Sequence, residues 1–149
     1  MLDPAMSFFL GNLLAMIGWA GLITSLFVKA ARPAVWTGTQ VMIPALLAAA
    51  YVLLIWQGRP AFADGGFGSL EEVRALFAHD SALAAGWLHY LAFDLFVGSW
   101  ITRDGAKRGV APLLVLPCLP LAFLFGPSGL LLYFVLRQVS SPARQEALQ

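Results

Sequence analysis

The stretch Gly86–Trp100, GWLHYLAFDLFVGSW, decides how this chain folds. It is apolar enough to lie in hydrocarbon, yet His89 and Asp94 stand near its middle. An aspartate at bilayer depth costs roughly 2.5–3.5 kcal/mol on insertion scales, so it calls for a partner, water or a function. Extended both ways, the apolar run reaches from about Ser81 to Ile101. That meets the roughly 20 residues a helix needs to cross about 30 Å of hydrocarbon.

The rest of the chain has the same character. Of its 149 residues, 60% are hydrophobic and 11% charged; a soluble domain carries about 25% charged residues. This is the composition of a small polytopic membrane protein. A net charge of +1, with no long basic cluster, argues against nucleic acid as a partner. Cys118 is the single cysteine, so no intrachain disulfide or cysteine-based metal centre can form. It lies in an apolar run, where a small buried hydrophobe is expected. His79 and His89 are the only histidines, and the HExxH, GxSxG, phosphate-loop and haem-attachment motifs are missing. No metal and no cofactor are expected. Asp3 and no Lys or Arg precede the first apolar run, so no cleaved signal is expected.

Four apolar spans follow: Met6–Val28, Val35–Trp56, Ser81–Ile101 and Val110–Leu136. Backbone polar groups in lipid must be satisfied within the segment, which selects helices. The connections Lys29–Ala34 and Thr102–Gly109 are short and imply antiparallel neighbours. Trp19, Trp36, Trp56, Trp87 and Trp100 fall mostly toward span ends, as an interfacial belt would. Between spans two and three, Ser69-Leu70-Glu71-Glu72 is a capping box that starts a short helix. Leu70, Val73, Leu76 and Phe77 share one of its sides, which suits either the membrane interface or a solvated loop. The expected fold is all-α: a four-transmembrane-helix bundle over residues 1–137 with this interfacial helix, then a polar tail over 138–149.

Chemistry concentrates in the third and fourth spans. Trp87, Tyr90, Asp94, Gly98 and Ile101 form one helical stripe, which should face protein. Asp94 is there as a base, a proton acceptor, a polar anchor, or a structural group held by a neighbouring helix. His89 lies five residues earlier, about 140° around the helix, so the two are no ready-made dyad. In the fourth span, Phe125-Gly126-Pro127-Ser128-Gly129 should break or kink the helix, with Gly126 as N-cap and Pro127 as N1 of a second half-helix. A half-helix N-terminus at membrane depth offers free N–H groups to a polar ligand, though packing alone also explains such a kink. Asn12 suits a hydrogen bond across helices. Arg137 should snorkel to the interface.

WLHYLAFDLFVGSWI at Trp87–Ile101 and LFGPSGLLLYFVLR at Leu124–Arg137 resemble the abscisic-acid-deficiency-four family, also called neoxanthin synthase-like. FFLGNLLAMIGW at Phe8–Trp19 and VMIPALLAAAYVLL at Val41–Leu54 are similar to that family's first two spans, so the resemblance covers about Phe8 to Arg137. It implies a four-helix membrane protein. Plant members are plastid proteins associated with making neoxanthin from violaxanthin, an isomerisation in which an epoxide opens and an allene forms without a redox cofactor. On this chain, His89 and Asp94 are the expected catalytic acid and base, in either order. Asn12, Trp87, Tyr90, Phe93, Gly126, Pro127 and Ser128 are the expected ligand-contacting residues. The expected partners are the lipid bilayer, a hydrophobic isoprenoid or pigment, and a second copy or a larger, photosynthetic membrane complex. A non-catalytic pigment- or lipid-binding protein is the competing reading. The expected location is a bacterial inner membrane. Lys29, Arg32, Arg103, Lys107 and Arg108 outnumber the basic residues of the other side by one, which places both termini outside the cytoplasm.

Overall fold

The computed structural model describes residues 1–139. Of the expected polar tail, residues 140–149 lie outside the described residues. Helix α1 spans Pro4–Phe27. A 3-10 turn at Lys29–Ala31 leads into α2, Arg32–Thr37. This passes through a π-helical turn at Gly38–Met42 into α3, Ile43–Gln57. Then come a 3-10 turn at Arg59–Ala63, α4 at Leu70–Phe77 and α5 at Asp80–Arg108. The chain closes with α6 at Pro112–Val115, α7 at Cys118–Phe125 and α8 at Pro127–Val139. No strand occurs among the described residues.

Pro4–Phe27, Lys29–Gln57 and Asp80–Arg108 are long and apolar enough to cross a membrane. The fourth expected span, Val110–Leu136, is instead broken into α6, α7 and α8. Pro112 starts α6, and Pro117 is the N-cap of α7. Gly126 then takes a positive φ of 32°, which ends α7 and lets α8 begin at Pro127. Residues expected as the loop Thr102–Gly109 also differ: α5 continues to Arg108. The Asp104–Arg108 ion pair at i,i+4 supports that extra helix.

The described residues divide into two compact units, one of Met1–Ala15 with Ile43–Phe93, the other of Met16–Met42 with residues 94–139. In the first unit, Gly11 lies directly on Leu88, with Leu47 and Leu91 beside it. Ala61, Leu76 and Ala82 make a second buried cluster under α4. Ser69 caps α4 by accepting from the Glu72 N–H at 3.2 Å, while Glu72 accepts from the Gly68 N–H at 2.9 Å. The Ser69 half of the expected capping box is therefore formed, while the Glu72 carboxylate reaches back to the N–H of Gly68, one residue before the cap, rather than to that of Ser69. Of the α4 apolar side, Leu76 is buried whereas Leu70 and Phe77 are exposed.

In the second unit, Trp19 belongs to the core rather than to an interfacial belt. It is buried against Gly98, where a Cβ would lie 2.6 Å from its Cζ3 atom, and it meets Phe123 edge-on at 5.6 Å. Buried hydroxyls link the segments: Thr39 Oγ1 lies 2.9 Å from Ser99 Oγ, and Trp36 Nε1 donates to Thr102 Oγ1 at 3.1 Å. Helices α7 and α8 fold back on each other. Gly129 sits on the α7 backbone at Cys118 and Ala122, with 2.6 Å from its Cβ position to Ala122 Cα. Lipid tails are as apolar as leucine, so close backbone approach at such small residues, not hydrophobic transfer, favours helix pairing in a membrane.

Candidate functional site

Asp94 is the first polar group to consider, because α5 holds it half-buried within an otherwise apolar run. It faces the turn between α7 and α8. A Cβ added to Gly126 would lie 2.9 Å from Asp94 Oδ1 and 3.1 Å from Oδ2. Only glycine leaves space for a carboxylate at that turn. The first N–H groups of any α-helix lack intrahelical acceptors and carry its positive dipole end. Here Pro127 has no N–H to offer, and the Gly129 N–H goes to Gly126 O at 3.2 Å. Gly126 is buried, while Pro127 and Ser128 are exposed. The arrangement can accept a proton, and the dipole at the start of α8 can stabilise oxygen that gains negative charge.

The expected ligand contacts on the first unit form a different cluster. Trp87 Nε1 donates to Asn12 Oδ1 at 3.2 Å, and Asn12 Nδ2 donates to Phe8 O at 2.7 Å. The expected hydrogen bond across helices thus has Trp87 as its partner. Phe8 and Tyr90 pack on the Trp87 ring, each at 5.3 Å between centroids. Next to them, a cleft of about 480 Å³ is lined by Asp3, Phe8, Asp80, Leu83 and Trp87. His89 is exposed, stacked on Phe93 at 4.5 Å and tilted against Tyr51 at 5.9 Å. Asn12, Trp87, Tyr90, His89 and Phe93 therefore fall in one unit, and Asp94, Gly126, Pro127 and Ser128 in the other.

The family model described as ABA DEFICIENT 4-like matches residues 6–133, which include every residue of both clusters except Asp3. The chain belongs to that family. No curated protein and no solved structure matches this ABA DEFICIENT 4-like chain.

A polar centre that the sequence reading passed over lies at the end of α5. Asp104 Oδ2 accepts from Tyr133 Oη at 2.7 Å, from Arg108 Nε at 2.7 Å and from Arg137 Nη1 at 3.4 Å. Tyr133 is fully buried. Arg137 is consequently tied to Asp104 and lies over the Phe134 ring at 4.6 Å, rather than simply snorkelling. The signal that could have shown this was the Asp104/Arg108 spacing, which is a helical pair and not loop chemistry.

Proposed function

We propose that this ABA DEFICIENT 4-like protein is an integral membrane protein that takes a carotenoid or other long isoprenoid from the bilayer and isomerises it by acid–base chemistry. The observation that supports this reading is Asp94, a half-buried carboxylate in an apolar helix, set against the glycine at which α7 ends and α8 begins. Such placement is costly for structure alone. In epoxide opening to an allene, the polyene carbon loses a proton as its C–O neighbour breaks, and the epoxide oxygen gains one. The formula is unchanged, so no oxidant or reductant is consumed. Asp94 takes the carbon-bound proton in this scheme. The start of α8 faces the oxygen while it carries negative charge.

The test is expression in a host that accumulates an epoxy-carotenoid, with chromatography and mass spectrometry of the pigments. A new isomer of unchanged mass is expected. Asp94→Asn should abolish it while membrane levels of the protein hold. Conversion by Asp94→Asn at the wild-type rate would remove the proposed base. His89→Ala reads the expected second proton-transfer role in the same assay. Lost conversion supports that role, and unchanged conversion takes His89 out of the reaction.

A second reading, binding without turnover, is favoured by a slot of about 180 Å³ in the second unit. It is lined by Phe96, Val97, Trp100, Leu130 and Phe134. An all-apolar lining of this size suits a methyl-branched chain. Pigment that co-purifies with the protein and leaves unaltered would select this reading over catalysis.

A further inference from the structure

The second unit holds a cavity of about 720 Å³ beside the C-terminal end of α5. Its wall carries Lys29, Arg32, Arg103 and Lys107, together with Trp36 and Trp100. Two of the cations are fixed in place. Arg32 Nε donates to Ser25 O at 3.0 Å, and its guanidinium stands over the Trp36 ring at 5.9 Å. Arg103 Nη1 donates to Gln40 Oε1, and its guanidinium approaches the same ring at 5.6 Å. Asp104 is the acid of the wall, and it is already engaged by Tyr133, Arg108 and Arg137. Among the described residues, neither Lys29 nor Lys107 has a carboxylate within ion-pair distance.

Positive side chains gathered around one cavity repel each other unless an anion lies between them. The location decides which anion. The cavity opens where apolar stretches long enough for a membrane end, with indole rings in its wall, as at a bilayer interface. Basic pockets between helices at that level hold phosphate-bearing headgroups. Guanidinium groups suit phosphate oxygens geometrically, and the lysines add mobile charge.

We infer that this cavity is a binding site for the phosphate of an anionic glycerophospholipid, separate from the Asp94 turn. The full-length protein is purified in neutral detergent. It is then titrated with phosphatidylglycerol or phosphatidylcholine, and retained lipid is counted by native mass spectrometry. Phosphatidylglycerol should be retained preferentially. Each lysine near a surface is worth about fivefold in such attraction, so Lys29→Gln with Lys107→Gln should cut the preference about twenty-five-fold. Both lysines are exposed, so the variant should fold, and an unchanged melting temperature checks this. Arg74→Gln, on α4 and far along the chain, should keep the preference. Equal retention of the two lipids, or an undiminished preference in the double variant, overturns the site. Millimolar inorganic phosphate is the discriminating arm. Failure to displace the lipid supports headgroup binding, and complete displacement shows a free-phosphate site instead. None of these outcomes depends on pigment conversion.

Discussion

Gly126 has two reasons to be glycine. Its φ of 32° lies where an L side chain is disfavoured by roughly 1–2 kcal/mol. A Cβ there would also press on both Asp94 oxygens. These penalties act together, because backbone relaxation that relieves one leaves the other. Gly126→Ala should therefore lower stability by about 2–4 kcal/mol, combining strain with overpacking. Thermal unfolding in detergent reads the effect as a falling midpoint. Ser128→Ala, two residues on and exposed, should stay within about 0.5 kcal/mol of the parent. A midpoint for Gly126→Ala equal to that of Ser128→Ala would mean that the turn and the carboxylate are not coupled as described. Gly98→Ala offers a parallel case without backbone strain. Its added methyl meets the Trp19 ring, and about 1–3 kcal/mol of overpacking is expected.

Among the elements, the long helices were legible because twenty or more apolar residues admit little else in lipid. The α4 start is legible from its Ser-x-x-Glu pattern, since the Ser69 hydroxyl satisfies the orphan N–H of Glu72 by itself. The break at Gly126–Pro127 could also be read, because proline cannot continue the preceding turn. Its consequence was hidden: whether α8 runs on or folds back depends on Gly129 meeting Cys118 and Ala122, a contact that no local pattern encodes. The Asp104 centre is hidden because Gly105 and the basic residues give Thr102–Gly109 the composition of a loop, although α5 continues to Arg108. Of the candidate site, the Asn12–Trp87 bond joins residues that the sequence singles out separately, while the Asp94–Gly126 contact joins two spans whose pairing no local pattern encodes. The return of α8 along α6 and α7 rests on Tyr133, whose hydroxyl donates to Asp104 at 2.7 Å. Hydrogen bonds to charged groups contribute about 1.5–3 kcal/mol. Tyr133→Phe should cost that much, and Asp104→Asn should be partly redundant with it. A double-mutant cycle measures the coupling; strictly additive losses would show that the bond does not anchor α8.

For the whole molecule, the folded-back α8 makes the number of membrane crossings a quantity to measure. An even number of crossings placed both termini on one side. Pro4–Phe27, Lys29–Gln57 and Asp80–Arg108 are the three stretches long and apolar enough to cross, among the described residues. After them, α6 and α7 enter and α8 returns, so that Arg137 lies with Asp104 at the end of α5 from which α6 departs. Three crossings without a fourth would leave the two chain ends on opposite sides of a membrane, and that is the expectation to test. On that arrangement the basic residues divide unevenly, because Arg137 pairs with Asp104 and so joins Lys29, Arg32, Arg103, Lys107 and Arg108 at one end of the second unit. The orienting rule counts Lys and Arg near short loops, so that face should be cytoplasmic. Reporter fusions at the two ends test this directly. A reporter active only outside the cytoplasm should work at the N-terminal end and fail at the C-terminal end, and a cytoplasmic reporter should show the reverse. Identical behaviour at both ends would restore a fourth crossing. It would then require that Tyr133 and Arg137 leave Asp104 once the chain is in a bilayer.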